Sequence, residues 1–193
     1  MIRAVIFDCF GVLYIKTADF FYEAAVPHYH EIREQLSEIN RMSDYGLITQ
    51  DDRAQQISKL TGLRLEEVQN SMSRRYVRNT KLLDYAQQLR ARGLKVGLLS
   101  NISAQTMEAF FSTEERQTLF DSVVISSDEM LVKPNPAIFE LMAERLGVTP
   151  GECIMIDDLT ANCEGAEVVG MEALLYGSNA TVKASVEALL AGS

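Results

Sequence analysis

The chain has 193 residues, 47% hydrophobic and 23% charged, the composition of a soluble globular protein long enough to bury one sizeable core. Its formal net charge of −9 excludes a surface built for nucleic acid or for anionic membrane. Cys9, Cys153 and Cys163 show neither paired metal-ligand spacing nor a disulfide framework, and no signal peptide or membrane-length apolar run is readable. Reduced, inert thiols and a cytoplasmic location are therefore expected.

In chain order, Ile2–Phe7 is an apolar run that predicts a fully buried strand of a parallel sheet. It stops at Asp8-Cys9-Phe10-Gly11, where a carboxylate meets a glycine turn. Carboxylates are rare at buried strand ends unless a charge or donor awaits them, although a lone Asp-x-x-Gly more often caps a turn. From residue 17 to about 80 helical spacing replaces strand-like runs: Phe20, Phe21, Ala24 and Ala25, then Ile32, Leu36 and Ile39. Thr49 with Asp52 ahead of Ile57 and Leu60 predicts a helix start, Gly62 punctuates, and Leu65, Val68 and Met72 mark another helix. An all-helical insertion of about four helices is expected over residues 15–81, between core segments 1–14 and 82–193.

Beyond the insertion, helix and strand alternate: helix 82–92 closed by Gly93, strand 95–99, helix 104–111, strand 122–125, helix 136–146 closed by Gly147, strand 153–156, helix 161–169 closed by Gly170, strand 172–175. A fraying terminal helix is expected from Ala184. Such alternation implies right-handed crossovers and a doubly wound parallel sheet, whose sites lie beyond the carboxyl ends of the strands. Those ends carry Asp8, then Ser100-Asn101, then Lys133 after the strand ending at Ile125, then Asp157-Asp158. Three carboxylates converging in one small volume raise one another's pKa or demand a cation, best a hard, oxygen-preferring ion such as Mg²⁺. Blander roles compete: an aspartate or Ser100 and Ser103 as helix caps, and Lys133 as a solvated turn residue.

With these four segments in order, each after a strand, the chain resembles the haloacid dehalogenase superfamily of aspartate-nucleophile hydrolases. The resemblance is closest to the phosphatase-like branch with an Asp-Asp fourth motif and a helical cap. Its motifs span residues 8 to 158, and the core-like pattern continues to about residue 176. It implies a Rossmann-like α/β fold in which Asp8 attacks phosphorus and forms an aspartyl-phosphate. Ser100 and the backbone N–H of Asn101 would hold phosphate oxygens, and Lys133 would neutralise nucleophile and phosphoryl group. Mg²⁺ would be held by Asp8, the backbone carbonyl of Phe10 and Asp158, with Asp157 as a further ligand or as the residue orienting Lys133. The substrate would be a small phosphorylated metabolite. Specificity would come from the cap, where Tyr14, Phe20, Tyr22, His28, His30, Arg74 and Arg75 are candidates.

One position departs from that pattern. The phosphatases carry a second aspartate two residues after the nucleophile as general acid and base, and here it is Phe10. Loss of such a group costs roughly 10²–10⁴-fold. The dehalogenating relatives carry an aromatic residue there, but work without metal and lack the paired aspartates. Three readings follow: a slow or specialised Mg²⁺-dependent phosphatase, a metal-free dehalogenase-type hydrolase with Arg33 or Arg41 as its cap cation, or a catalytically weakened member that binds a phosphate ligand or a protein. Neither the substrate nor the oligomeric state is legible.

Overall fold

The computed structural model describes residues 1–16, 21–71 and 76–192. Five parallel strands form the central sheet in the order β5-β4-β1-β6-β7. They are β1 (Ala4–Phe7), β4 (Lys95–Ser100), β5 (Ser122–Ile125), β6 (Cys153–Asp157) and β7 (Glu172–Leu175). β1 is central, with Phe7 level with Leu98 on one side and Ile156 on the other, so Asp8 emerges between the ends of β4 and β6. All four residues of β1 are buried, because helices cover both faces and leave no solvent side for alternation.

Helices α5 (Thr80–Ala91) and α11 (Asn179–Ala191) bury Leu82, Leu89, Val182 and Val186 with Val5, Phe7, Val96 and Ile154 on one face. Helix α9 (Pro136–Leu146) buries Ile138, Phe139, Met142 and Leu146 with Ala4, Ile6 and Met155 on the other. A Cβ on Gly97 of β4 would lie 3.1 Å from the Met142 side chain, and its absence lets α9 seat closely on the sheet. Helix α10 (Thr160–Val168) packs beside α9.

Between β1 and α5 lie α1 (Phe21–Ala25), α2 (Tyr29–Asp44), α3 (Gln50–Thr61) and α4 (Leu65–Gln69). Tyr22, Val26, Ile32, Leu36, Ala54, Ile57 and Val68 form a hydrophobic cluster of their own, apart from the two sheet cores. The start of α3 has the capping box read from Thr49 and Asp52, and Gly62 ends it at φ 75°.

Four expectations need correction. The insertion is not all-helical: β2 (Tyr14–Lys16) and β3 (Tyr76–Arg78) pair antiparallel where the chain leaves and re-enters the core. Three-residue strands paired across so long an interval show no local periodicity. The helix expected over 104–111 ends at Phe110 as α6 (Ala104–Phe110), and α7 (Thr113–Leu119) starts on a Ser112/Glu115 capping box. A short α8 (Ser126–Glu129) follows β5 directly. The terminal helix begins at Asn179 rather than Ala184, capped by Ser178 and anchored by buried Val182 and Val186. Phe20 and Met72 lie outside the described residues. Among the described residues, no helix is long and apolar enough to cross a membrane.

Candidate active site

The carboxyl ends of β1, β4 and β6 bring the expected residues together around Lys133. The residue is 4% exposed, and its ammonium donates to Asp8 Oδ1 at 2.6 Å, Asp157 Oδ2 at 2.5 Å and the Leu99 carbonyl at 3.1 Å. Those three bonds use all of its protons. Burial opposes the charge, but the two carboxylates outweigh it and hold the ammonium above its ordinary range. Asp8 is pushed up to about 7, first by burial, with Lys133 opposing and the charges of Asp157 and Asp158 adding.

The two fourth-motif aspartates differ sharply. Asp157 is fully buried, and its second oxygen accepts from the Leu159 N–H and from Asn162 Nδ2, both at 2.9 Å. Asp158 is exposed and its carboxylate lies directly over Gly11. A Cβ on Gly11, which has φ +91°, would come within 2.1 Å of Asp158 Oδ2, so only glycine leaves room. Ligand oxygens of Asp8, Asp157 and Asp158 lie within 4.8 Å of one another. Three carboxylates share the volume with one ammonium, and this hard, oxygen-only donor set fits a divalent cation such as Mg²⁺. Because Asp157 is committed to Lys133, Asn162 and the backbone, Asp8 and Asp158 are the carboxylates with capacity to spare.

Ser100, 1% exposed, and Asn101 line the same cavity, which holds about 380 Å³. Helix α6 is capped by Ser103, not Ser100. The Asn101 side chain has a further task that local sequence did not reveal. Its Nδ2 donates to the Lys133 carbonyl at 2.9 Å and its Oδ1 accepts from the Lys133 N–H at 2.8 Å. This reciprocal pair fixes the lysine's backbone from a residue 32 positions earlier. Phe10 also lines the cavity, half-buried in an aromatic cluster with Tyr76 at 4.6 Å and Phe110 at 4.9 Å between ring centroids.

The cap candidates fare differently. The Tyr14 hydroxyl donates to the Phe110 carbonyl at 2.6 Å inside the core, and Tyr22 meets Ser71 within the insertion. His28 lies against the Leu60 carbonyl and His30 against Glu23, both away from the cavity. Phe20, Arg74 and Arg75 lie outside the described residues. Arg41 pairs with exposed Glu38, and neither it nor Arg33 lines the cavity. Lys16, Asn40, Ser43, Asp44, Gln50 and Arg53 line it instead. The i, i+3, i+4 spacing of Asn40, Ser43 and Asp44 was the available signal, a polar patch near the end of an otherwise apolar helix face. All three cysteines are free and buried; burial raises Cys153 to about 12 and Cys163 to about 11, and Cys9 well above its usual range.

The sequence profile of the haloacid dehalogenase-like hydrolases matches residues 2–170. The chain belongs to that family. Among this hydrolase's relatives, it is 36% identical over 104 residues to Acyl-CoA dehydrogenase family member 10 of Mus musculus, covering 53% of this chain and 10% of that protein. It is 38% identical over 92 residues to Phosphatase MT3486 of Mycobacterium tuberculosis (strain CDC 1551 / Oshkosh), covering 46% of this chain and 42% of that one. The matches thus span less than half the length of these relatives. A HAD family enzyme of Bacteroides thetaiotaomicron, solved in complex with magnesium and inorganic phosphate, shares the fold. Its TM-score is 0.78 at 24% identity, covering 93% of this chain and 96% of that one.

Proposed function

We propose that this hydrolase is a Mg²⁺-dependent phosphatase of a small phosphorylated metabolite, acting through an aspartyl-phosphate on Asp8. The observation that carries the reading is the composition of the cluster: Asp8 beside buried Lys133, with the Asp158 carboxylate free above Gly11. Asp8, Asp158 and the carbonyl of Phe10 would hold Mg²⁺, whose charge keeps the nucleophile ionised and offsets the phosphoryl oxygens. Asp8 would attack phosphorus while Lys133, fixed by Asp157 and Asn101, neutralises charge on both partners. Ser100 and the Asn101 N–H would take phosphate oxygens. The insertion would act as a cap, since Asn40, Asp44, Gln50 and Arg53 from it line the cavity that holds Asp8. A phosphatase among the relatives and the magnesium–phosphate complex of the Bacteroides enzyme support this reading. Buried, reduced thiols suit a cytoplasmic setting.

Arg53 favours a second reading, because it supplies the cavity with the cation that a metal-free displacement of halide from carbon requires. One screen separates the two: phosphorylated metabolites and 2-haloacids, each with and without Mg²⁺. Phosphate release that needs Mg²⁺ and falls on the order of 10⁴-fold or more in Asp8→Asn is expected. Halide release indifferent to Mg²⁺ would overturn the phosphatase reading.

A further inference from the structure

Phe10 leaves the core wall without a group to protonate a leaving alcohol, and Lys133 has every proton engaged. The facing wall supplies a carboxyl group. The last turn of α2 brings Ser43 and Asp44 to the surface of the cavity that contains Asp8 and Phe10. Ser43 is buried behind that surface, so Asp44 is the residue of this turn with a group to offer the cavity. Asp44 is held to the core, since its carbonyl accepts from Ser126 Oγ at 2.6 Å. The same Oγ accepts from the Ile102 N–H at 2.9 Å, in the segment that carries Ser100 and Asn101. This bond fixes the end of α2 against the phosphate side of the site.

The charged groups facing Asp44 are Arg53 from α3 and Lys133 from the core. On α8, which also packs against α2, Glu129 is paired with Arg145 at 2.8 Å, and Asp128 accepts a long bond from Ser127 at 3.4 Å. Burial raises the Asp44 carboxyl to about 7, with Arg53 and Lys133 opposing, so both of its protonation states are accessible near neutrality.

We propose that Asp44 is the general acid and base of this hydrolase and that its substrates are phosphate esters of alcohols; the proposal rests on the phosphatase reading. In the first step an Asp8 oxygen bonds to phosphorus and the P–O bond to the alcohol breaks. Its electron pair goes to the alcohol oxygen, which takes the Asp44 proton. In the second, water gives a proton to the Asp44 carboxylate as its oxygen bonds to phosphorus. The P–O bond to Asp8 then breaks, returning the pair to the carboxylate. Ester and water become alcohol and phosphate, and both aspartates end as they began.

The test uses two probes of nearly equal shape at saturating Mg²⁺: 4-nitrophenyl phosphate, whose leaving group departs without a proton, and phenyl phosphate, whose leaving group needs one. Asp44→Asn is expected to lower kcat/KM about 10²-fold for phenyl phosphate and less than about tenfold for the nitrophenyl ester. Phe10→Asp in the Asp44→Asn background should restore phenyl phosphate hydrolysis, as a carboxyl returned to the core wall replaces the one removed. In the wild type, kcat/KM for phenyl phosphate should fall as pH rises through about 7, and that limb should be absent from Asp44→Asn. Equal losses on both esters, or none, in a variant that melts no lower than the wild type would overturn the assignment of Asp44 alone. Wild-type protein that hydrolyses neither ester would bring down the phosphatase reading and this proposal together.

Discussion

On the core wall of the cavity the buried charges have partners: Lys133 sits between Asp8 and Asp157, and Asp157 is further held by Asn162 and a backbone N–H. On the insertion wall, Ser43 Oγ has no partner among the described residues and Asp44 carries a carboxyl displaced toward neutrality by burial. The core wall is set before any ligand arrives, as groups that stabilise developing charge must be. The sheet side of the cavity is thus preset by paired charges, and the helical side keeps a carboxyl displaced toward neutrality.

The largest effect is expected on the core wall. Lys133→Ala, in chelator, leaves two buried carboxylates without their cation and should cost about 3–5 kcal/mol of stability in urea unfolding. A loss below 1 kcal/mol would mean that the cluster is not held together by charge.

Next comes the cation. Mg²⁺ at a hundred times its Kd should stabilise the fold by about 2.7 kcal/mol, read as a higher Tm, because the unfolded chain offers no such cluster. Asp158→Asn should abolish the gain and Ser100→Ala should keep most of it, since only the first removes a free carboxylate. An unchanged gain in Asp158→Asn would move the ion elsewhere.

On the insertion wall the expected effect is smaller and opposite in sign. The Asp44 carboxyl, raised from 3.8 to about 7, makes the folded state bind more protons than the unfolded one between those values. Its contribution to stability is therefore full below pH 4 and is lost as pH rises through 7. Asp44→Asn lacks that loss, so it should equal the wild type near pH 4 and exceed it at pH 8 by on the order of 1–3 kcal/mol. A constant difference across the range would show that Asp44 is not displaced by burial. Smallest of all, His30→Ala and Arg33→Ala should leave kcat/KM within about twofold, because neither residue lines the cavity.

The core wall was legible in the sequence because each of its strands is a short, uniformly apolar run that stops at a polar residue. Val96–Leu99 before Ser100 and Cys153–Ile156 before Asp157 are such runs, and a parallel sheet gathers their ends at one edge. The division of labour between Asp157 and Asp158 was only half legible, since adjacent residues on a strand end point to opposite sides and no pattern says which side holds Lys133. The insertion wall was harder to read, because the polar patch of Asn40, Ser43 and Asp44 is short and Gln50 and Arg53 look like any solvated helix face until the tertiary packing turns them inward. Aromatics and histidines drew attention instead, and Tyr22 proved to be packing within the insertion. The Ser112/Glu115 capping box was written locally, but the Phe110-Phe111 run before it masked the end of one helix and the start of the next.

The strand pair β2–β3 has a consequence for how such a protein can diversify. Lys16 and Tyr76 are register partners in it, and both also line the cavity. The two crossings between core and insertion are therefore also part of the cavity's wall. A slip of one residue by either strand would turn that strand's side chain to the opposite face from its partner. A substitution at either position therefore acts at once on the cavity surface and on the pairing that joins the insertion to the core.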